Sequence, residues 1–237
     1  MMNPVSDHRQ GPIRDHLYTY ADGKEFEGKT PEEVFTQIYQ GNLWENNQSV
    51  SGHGSTPEQT AEILRLLPGM LRRLGVKTLI DVPCGDFNWM QKLDLSGMTY
   101  TGADIVGELI ESNRQKYGRD GLQFERLNLL EDPMDAYDLV FCRDCLVHFS
   151  IGDIHRALDN IRTSGSRYLM TTTFTGQTEN RDIPTGGWRP INFQFPPFNF
   201  PEPVLLLNEK CTEWDGLFGD KSLGVWRMDA ALRLRSV

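Results

Sequence analysis

Apolar residues in this chain recur first at helical spacing and then, from residue 77, in short blocks that alternate with helical runs. Two capped starts define the helical part. Thr30 can cap a helix that begins at Pro31, with Glu33 closing a capping box, and Val34 and Ile38 then share one face up to Gly41. Thr56-Pro57 opens a second helix, in which Ala61, Leu64, Leu67, Leu71 and Leu74 recur before a stop at Gly75. Pro68 removes a backbone donor inside it and is expected to kink or interrupt it. Ahead of Thr30 the chain shows no period and reads as an irregular lead-in.

From residue 77 strand-like and helical patterns alternate. KTLIDV is a first strand, followed by the turn PCGDFNW and then an expected helix. MTYTGADIV is a second strand and GELIESNRQKYG a helix; LQFERLNLL is a third strand and YDLVFCRD a fourth. Asp153 is expected to open a helix with Ile154, Ala157, Leu158 and Ile161 on one face, and RYLMTTTF, rich in β-branched residues, is a fifth strand. A proline-rich stretch over 176–203 carries no period, as a lid or binding loop would. PVLLLNEK and LGVWRM are two last strands that can pair antiparallel. The pattern predicts a Rossmann-like α/β fold: a mostly parallel seven-stranded sheet, helices on both faces and an antiparallel edge. One domain is expected over 1–237, with a lead-in and helices over 1–75, a core over 77–175, a substrate loop over 176–203 and final strands over 204–237.

Composition narrows the function classes. The chain has 237 residues, 38% of them hydrophobic and 10% aromatic, with no apolar run near the roughly 20 residues a membrane helix needs. The polar start, MMNPVSDHRQGPIRDH, lacks the apolar stretch of a signal peptide, so a soluble cytoplasmic protein is expected. A net charge of −9 disfavours a nucleic-acid partner, since long-range attraction to phosphates is missing. Arg227, Arg233 and Arg235 form a short basic end, of a kind that usually lies on a solvated face. Cys142 and Cys145 make a lone CxxC with no second pair, so neither a metal nor a disulfide is expected.

In an open α/β sheet, ligands bind beyond the carboxyl ends of the strands, where strand order reverses. The first strand ends in Asp81-Val82-Pro83-Cys84-Gly85-Asp86 and the second in Asp104, at the separation expected of an acid that grips ribose hydroxyls. The third ends at Asn128, whose amide suits an adenine edge, and the fourth delivers Cys142, Arg143, Asp144 and then His148. The series LIDVPCGD, YTGADIV, FERLNLL, YDLVFCRDCLVHF resembles, in order and spacing, the first four motifs of the class I S-adenosylmethionine-dependent methyltransferases. That resemblance implies S-adenosylmethionine as cofactor, without a metal. It implies that Gly85 lies where the chain approaches the methionine portion closely and that Asp104 binds the ribose, with Asp81 and Cys84 also in the cofactor site. Ile105 would then pack on adenine and Asn128 would face its amino group, with Leu129, Cys142 and Arg143 also among the cofactor-binding residues. The family's first motif has three alternating glycines; here Pro83 and Phe87 stand where two of them would be. A nicotinamide fingerprint fails on the same two glycines.

Two loops complete the expected site. Trp44 and Ser51-Gly52-His53-Gly54-Ser55 precede a helix start, where Ser51 and Gly54 can close over the methionine carboxylate; a simple helix-entry turn is the other reading. Trp188, Arg189, Asn192, Phe195 and Phe198 combine aromatic walls with a cation and an amide, as a pocket for a small acceptor would; the other reading is a loop packed on the sheet. Methyl transfer needs an aligned nucleophile and a proton acceptor. His148 is the candidate base, oriented by Asp144, while Arg143 and Arg189 suit an anionic acceptor. Competing readings are a non-catalytic or other nucleotide-binding protein that keeps the fold, and an RNA methyltransferase, which would need a basic rim.

Overall fold

The computed structural model describes residues 23–228. Among the described residues, four α-helices, α1 (Pro31–Gly41), α2 (Pro57–Leu74), α3 (Gly107–Tyr117) and α4 (Ile151–Thr163), accompany seven strands. These are β1 (Thr78–Asp81), β2 (Thr99–Asp104), β3 (Leu122–Arg126), β4 (Leu139–Cys142), β5 (Tyr168–Phe174), β6 (Leu205–Asn208) and β7 (Lys221–Arg227). They form one sheet in the order β3-β2-β1-β4-β5-β7-β6, parallel except for β7, which runs antiparallel to both β5 and β6. The chain builds outward from β1 to β3, then returns to place β4 beside β1. The reversal lies between β1 and β4, so the crevice at their carboxyl ends is where a ligand belongs.

Alternation along the central strands divides the core. Leu79, Phe141 and Met170 face α2 and Ile110 of α3, while Ile80, Val140 and Leu169 face Ile154, Ala157, Leu158 and Ile161 of α4. Thr30 caps α1 with the full capping box, and Gly75 ends α2 in the left-handed region. The buried face of α2 is Thr60, Ile63, Leu67, Leu71 and Leu74, turned from the expected one: Ala61 is exposed and Leu64 half-buried. Nor does Pro68 interrupt α2, which runs through it with Pro68 half-buried and Gly69 exposed, off the buried face.

Other boundaries moved for local reasons. α4 starts at Ile151, two residues before Asp153, because the Ser150 hydroxyl accepts from the Asp153 N–H and caps it. β3 stops at Arg126, and Asn128 belongs to the turn beyond, where its side-chain oxygen accepts from the Leu130 N–H. No helix follows β1; only a single 3-10 turn, Met90–Lys92, precedes β2. Phe87, in the left-handed region at φ 57, fills that space instead. Its ring lies 5.2 Å from each of the rings of Tyr100, Tyr117 and Phe124.

The proline-rich segment contributes several side chains to the core. Ile191, Phe193, Phe198 and Phe200 are buried against Trp226 on the α4 face of the sheet. Its backbone is paired without regular structure: Phe174 N donates to Ile191 O, and Asn180 Nδ2 reaches the carbonyls of Asn192, Phe195 and Pro196. Of the expected lead-in, residues 24–26 form a 3-10 turn that buries Phe26 against Val34 and Ile38. Arg227 ends β7; Arg233 and Arg235 lie outside the described residues.

Candidate active site

A cleft opens at the reversal point. Asp81, Gly85, Asp104, Asn128 and Arg143 border it, with Ile105, Leu109, Leu127 and Leu129 as an apolar side. Asp81 ends β1 and accepts the Tyr100 hydroxyl at 2.6 Å. Asp104 ends β2 and accepts the N–H groups of Gly85 and Val106, at 3.2 and 3.0 Å. Burial pushes both carboxyls up. Asp81 rises to about 7 despite the Tyr100 hydrogen bond, and Asp104 to about 6 despite its two backbone donors. A carboxylate held this dry retains lone pairs and gains from any ligand donor that favours its ionised form.

The Ser51 loop is fastened to the turn after β1. Ser51 Oγ donates to the Asp86 carboxylate and accepts the Asp86 N–H, and Asp86 also takes the Ser49 hydroxyl and the Val50 N–H. Gly85 sits beneath this contact at φ 54, and a Cβ there would meet Ser51 Oγ at 2.0 Å. Sequence reasoning missed Asp86, although its position directly after Gly85 was the available signal.

A second cavity lies on the other side of a shared wall. Trp44, Ser51, Asp144 and His148 border both spaces. Aromatic rings dominate the second: Phe26, Phe174, Trp188, Trp214 and Phe218 join Trp44 around it. Trp188 stands edge-on to Phe174 and Phe218, with centroids at 6.0 and 5.0 Å.

His148 lies in a 3-10 turn, Leu146–His148, with its ring 5.4 Å from that of Trp44. Its Nδ1 is 2.8 Å from Gly187 O. A carbonyl can only accept, so Nδ1 carries the proton and Nε2 is left as the acceptor. Burial holds the imidazole down to about 4, against the pull of the Gly187 hydrogen bond and of Asp144, so it is neutral at physiological pH. Asp144 does not orient it. The Asp144 carboxylate accepts from Lys221 Nζ at 2.7 Å, Arg143 Nη1 at 3.3 Å and the Thr172 hydroxyl at 3.2 Å. Burial raises its pKa, but the two cations outweigh burial and hold it well below the usual carboxylate range.

Arg143 and Lys221 belong to a buried charge network with Asp144, Glu209 and Glu213. Arg143 forks onto Glu209 at 3.3 and 2.8 Å and donates to Gly54 O, while Lys221 lies 3.7 Å from both Glu209 and Glu213. Arg143, Glu209 and Lys221 have side-chain exposures of 4%, 1% and 7%, so each depends on the others for its polar partners. Glu209 and Lys221 were also missed, since charges beside apolar strands look like ordinary strand ends.

Several expected residues stand elsewhere. Arg189 borders neither cavity; its buried guanidinium donates to the carbonyls of Leu146, Val147 and Phe149, around His148. Asn192 is likewise spent on the carbonyls of Thr175 and Gln177. Phe198 is core and Phe195 is exposed, so of that group only Trp188 faces a cavity. Gly54 borders the second cavity and Cys84 the first, whereas Cys142 is buried in the sheet core and borders neither. All four cysteines are free and buried.

The strand order, the antiparallel β7 and the acids at the ends of β1 and β2 define the class I methyltransferase fold. The chain-specific match agrees: a model of the methyltransferase domain fits residues 80–164. Human N-acetylserotonin methyltransferase, in complex with SAM, superposes with a TM-score of 0.58 at 15% identity, over 91% of this chain and 66% of that one, slightly under two thirds of its length. N-methyltransferase NodS from Bradyrhizobium japonicum WM9 gives 0.53 at 14% identity, over 74% and 98% of the two chains. The methyltransferase domain of bacterial CtHen1 gives 0.53 at 18%, over 71% and 98%. Comparison with curated protein sequences finds no match. A methyltransferase-domain model thus matches residues 80–164, in a chain whose described sheet has the fold of these methyltransferases.

Proposed function

We propose that this protein transfers the methyl group of S-adenosylmethionine to a small-molecule acceptor, with His148 as the proton acceptor. The carrying observation is the wall shared by the two cavities: a cofactor held in the first and an acceptor in the second would meet at Trp44, Ser51, Asp144 and His148. The donor set of the first cavity fits the cofactor. Asp104 suits the ribose diol, Ile105 and Leu129 an adenine face, Asn128 its edge, and Asp81 the ammonium of the methionine portion. When bound, the cofactor supplies an electrophilic methyl group that needs no metal. The chain's part is to align the acceptor, exclude water through the aromatic walls, and hold Nε2 of His148 free to take a proton. A polyanionic acceptor such as RNA is disfavoured, because Glu25, Glu45 and Glu213 border the second cavity.

Calorimetry with S-adenosylmethionine and S-adenosylhomocysteine tests the reading. Binding is expected, weakened in Asp104→Ala by about 1–3 kcal/mol through lost charged hydrogen bonds. A folded protein that binds neither ligand would overturn it.

A further inference from the structure

The second cavity has a chemical character beyond its size. Its aromatic lining suits a flat molecule, with Trp188 edge-on to Phe174 and Phe218 and with Trp44 beside His148. Its charge is one-sided. Glu25, Asp144 and Glu213 border it, against Lys221, whose ammonium is already taken by Asp144, Glu209 and Glu213. The two arginines expected to receive an anion point elsewhere, Arg143 to Glu209 and Arg189 to backbone carbonyls. The buried network itself sets three carboxylates against two cations, so it favours a positive charge beside the shared wall.

We propose that the acceptor is a flat aromatic amine that arrives uncharged, seated among these rings with its nitrogen at the wall formed by Trp44 and His148. The inference deepens the methyltransferase reading and rests on it. The nitrogen lone pair forms the new N–CH3 bond as the methyl–sulfonium bond breaks and its electron pair stays on sulfur, leaving a neutral thioether. Positive charge therefore moves from sulfur to nitrogen within reach of Asp144, Glu213 and the ring faces. The proton then released by the nitrogen passes to Nε2 of His148 and on to water. A phenol or an alkylammonium would first have to surrender a proton to an imidazole that burial has made a weak base. An arylamine needs no such step, and its N-methylated cation is acidic enough to give a proton to this histidine.

Three probes on one naphthalene ring system test this: 1-naphthylamine, 1-naphthol and 1-naphthoate, each titrated by calorimetry into the protein alone and into protein saturated with S-adenosylhomocysteine. Methylated products are then sought by mass spectrometry after incubation with S-adenosylmethionine. Because the carboxylate would face Glu25, Asp144 and Glu213, the uncharged amine is expected to bind at least about tenfold tighter and to be the probe that is methylated. Glu213→Gln should narrow that preference without changing S-adenosylhomocysteine binding. Tighter binding of 1-naphthoate, methylation of 1-naphthol in preference to the amine, or no binding of the amine overturns the proposal. Amine-selective binding in a protein that ignores S-adenosylhomocysteine would instead overturn the cofactor reading and leave the chemistry of the second cavity standing.

Discussion

A Cβ on Gly85 would stand 2.0 Å from Ser51 Oγ, at a φ of 54 that a side chain already resists. Gly85→Ala should therefore push the Ser51 loop off the turn after β1, with a loss of about 1–3 kcal/mol in stability that a urea titration reads. Asp81 and Asp104 carry the pH dependence at this scale. Both are raised above the ordinary value near 4, to about 7 and about 6, so the fold prefers their neutral forms. Their contribution to stability is full below the unfolded-state value and is lost as pH rises through 6 and 7. The melting temperature of the ligand-free protein is expected to fall over that window, and Asp81→Asn should flatten its upper part. These three residues were legible in the sequence because a strand end followed by glycine or acid has one place to go in an open α/β sheet. Arg189 was not. A cation among aromatics reads the same whether it faces a ligand or a row of carbonyls, and only the packing decides.

At the scale of elements, the turn that holds His148 is not self-supporting. Three carbonyls around it accept from Arg189, and Gly186 N and Gly187 O bond His148 from the same loop. Arg189 is thus a positioning residue for His148, and its positive charge also helps to lower the imidazole pKa. Arg189→Met should raise the imidazole titration seen by NMR above about 4, while Arg189→Lys keeps the charge, loses the fork and leaves that titration low. An arginine with no electrostatic influence on His148 would leave the titration unmoved in Arg189→Met as well. The absent helix after β1 has a similar explanation. The sequence pattern could not reveal it, because PCGDFNW followed by Met90 and Leu93 carries apolar residues at helix-like spacing. Their burial is satisfied instead by a compact loop around Phe87, 1% exposed among three rings. Phe87→Ala should cost about 3–5 kcal/mol, read from the denaturant midpoint, since no helix stands ready to close the cavity.

At the scale of the whole molecule, the charge network ties the ends of β4, β6 and β7 to the loop ahead of α2, of which only β6 and β7 are already joined by direct strand pairing. Arg143 follows β4, Glu209 follows β6, Lys221 opens β7, and Gly54 lies in the loop ahead of α2; all meet beside the wall between the cavities. An acidic chain with a net charge of −9 gains little from attracting anions, and this arrangement turns the same excess inward, toward a site suited to positive charge. Such a network contributes little net stability when complete, because desolvation offsets attraction, but breaking it leaves a charge buried and unpaired. Lys221→Met leaves Asp144, Glu209 and Glu213 facing Arg143 alone, and should lower stability by about 3–5 kcal/mol. Adding Glu209→Gln restores the balance to two carboxylates and one cation, the original excess of one negative charge, and should recover part of that loss. Urea midpoints of the two single variants and the double variant give the coupling directly. Strict additivity would mean that the four segments are held by apolar packing alone, and that the inward negative charge has no part in setting the shape of the site.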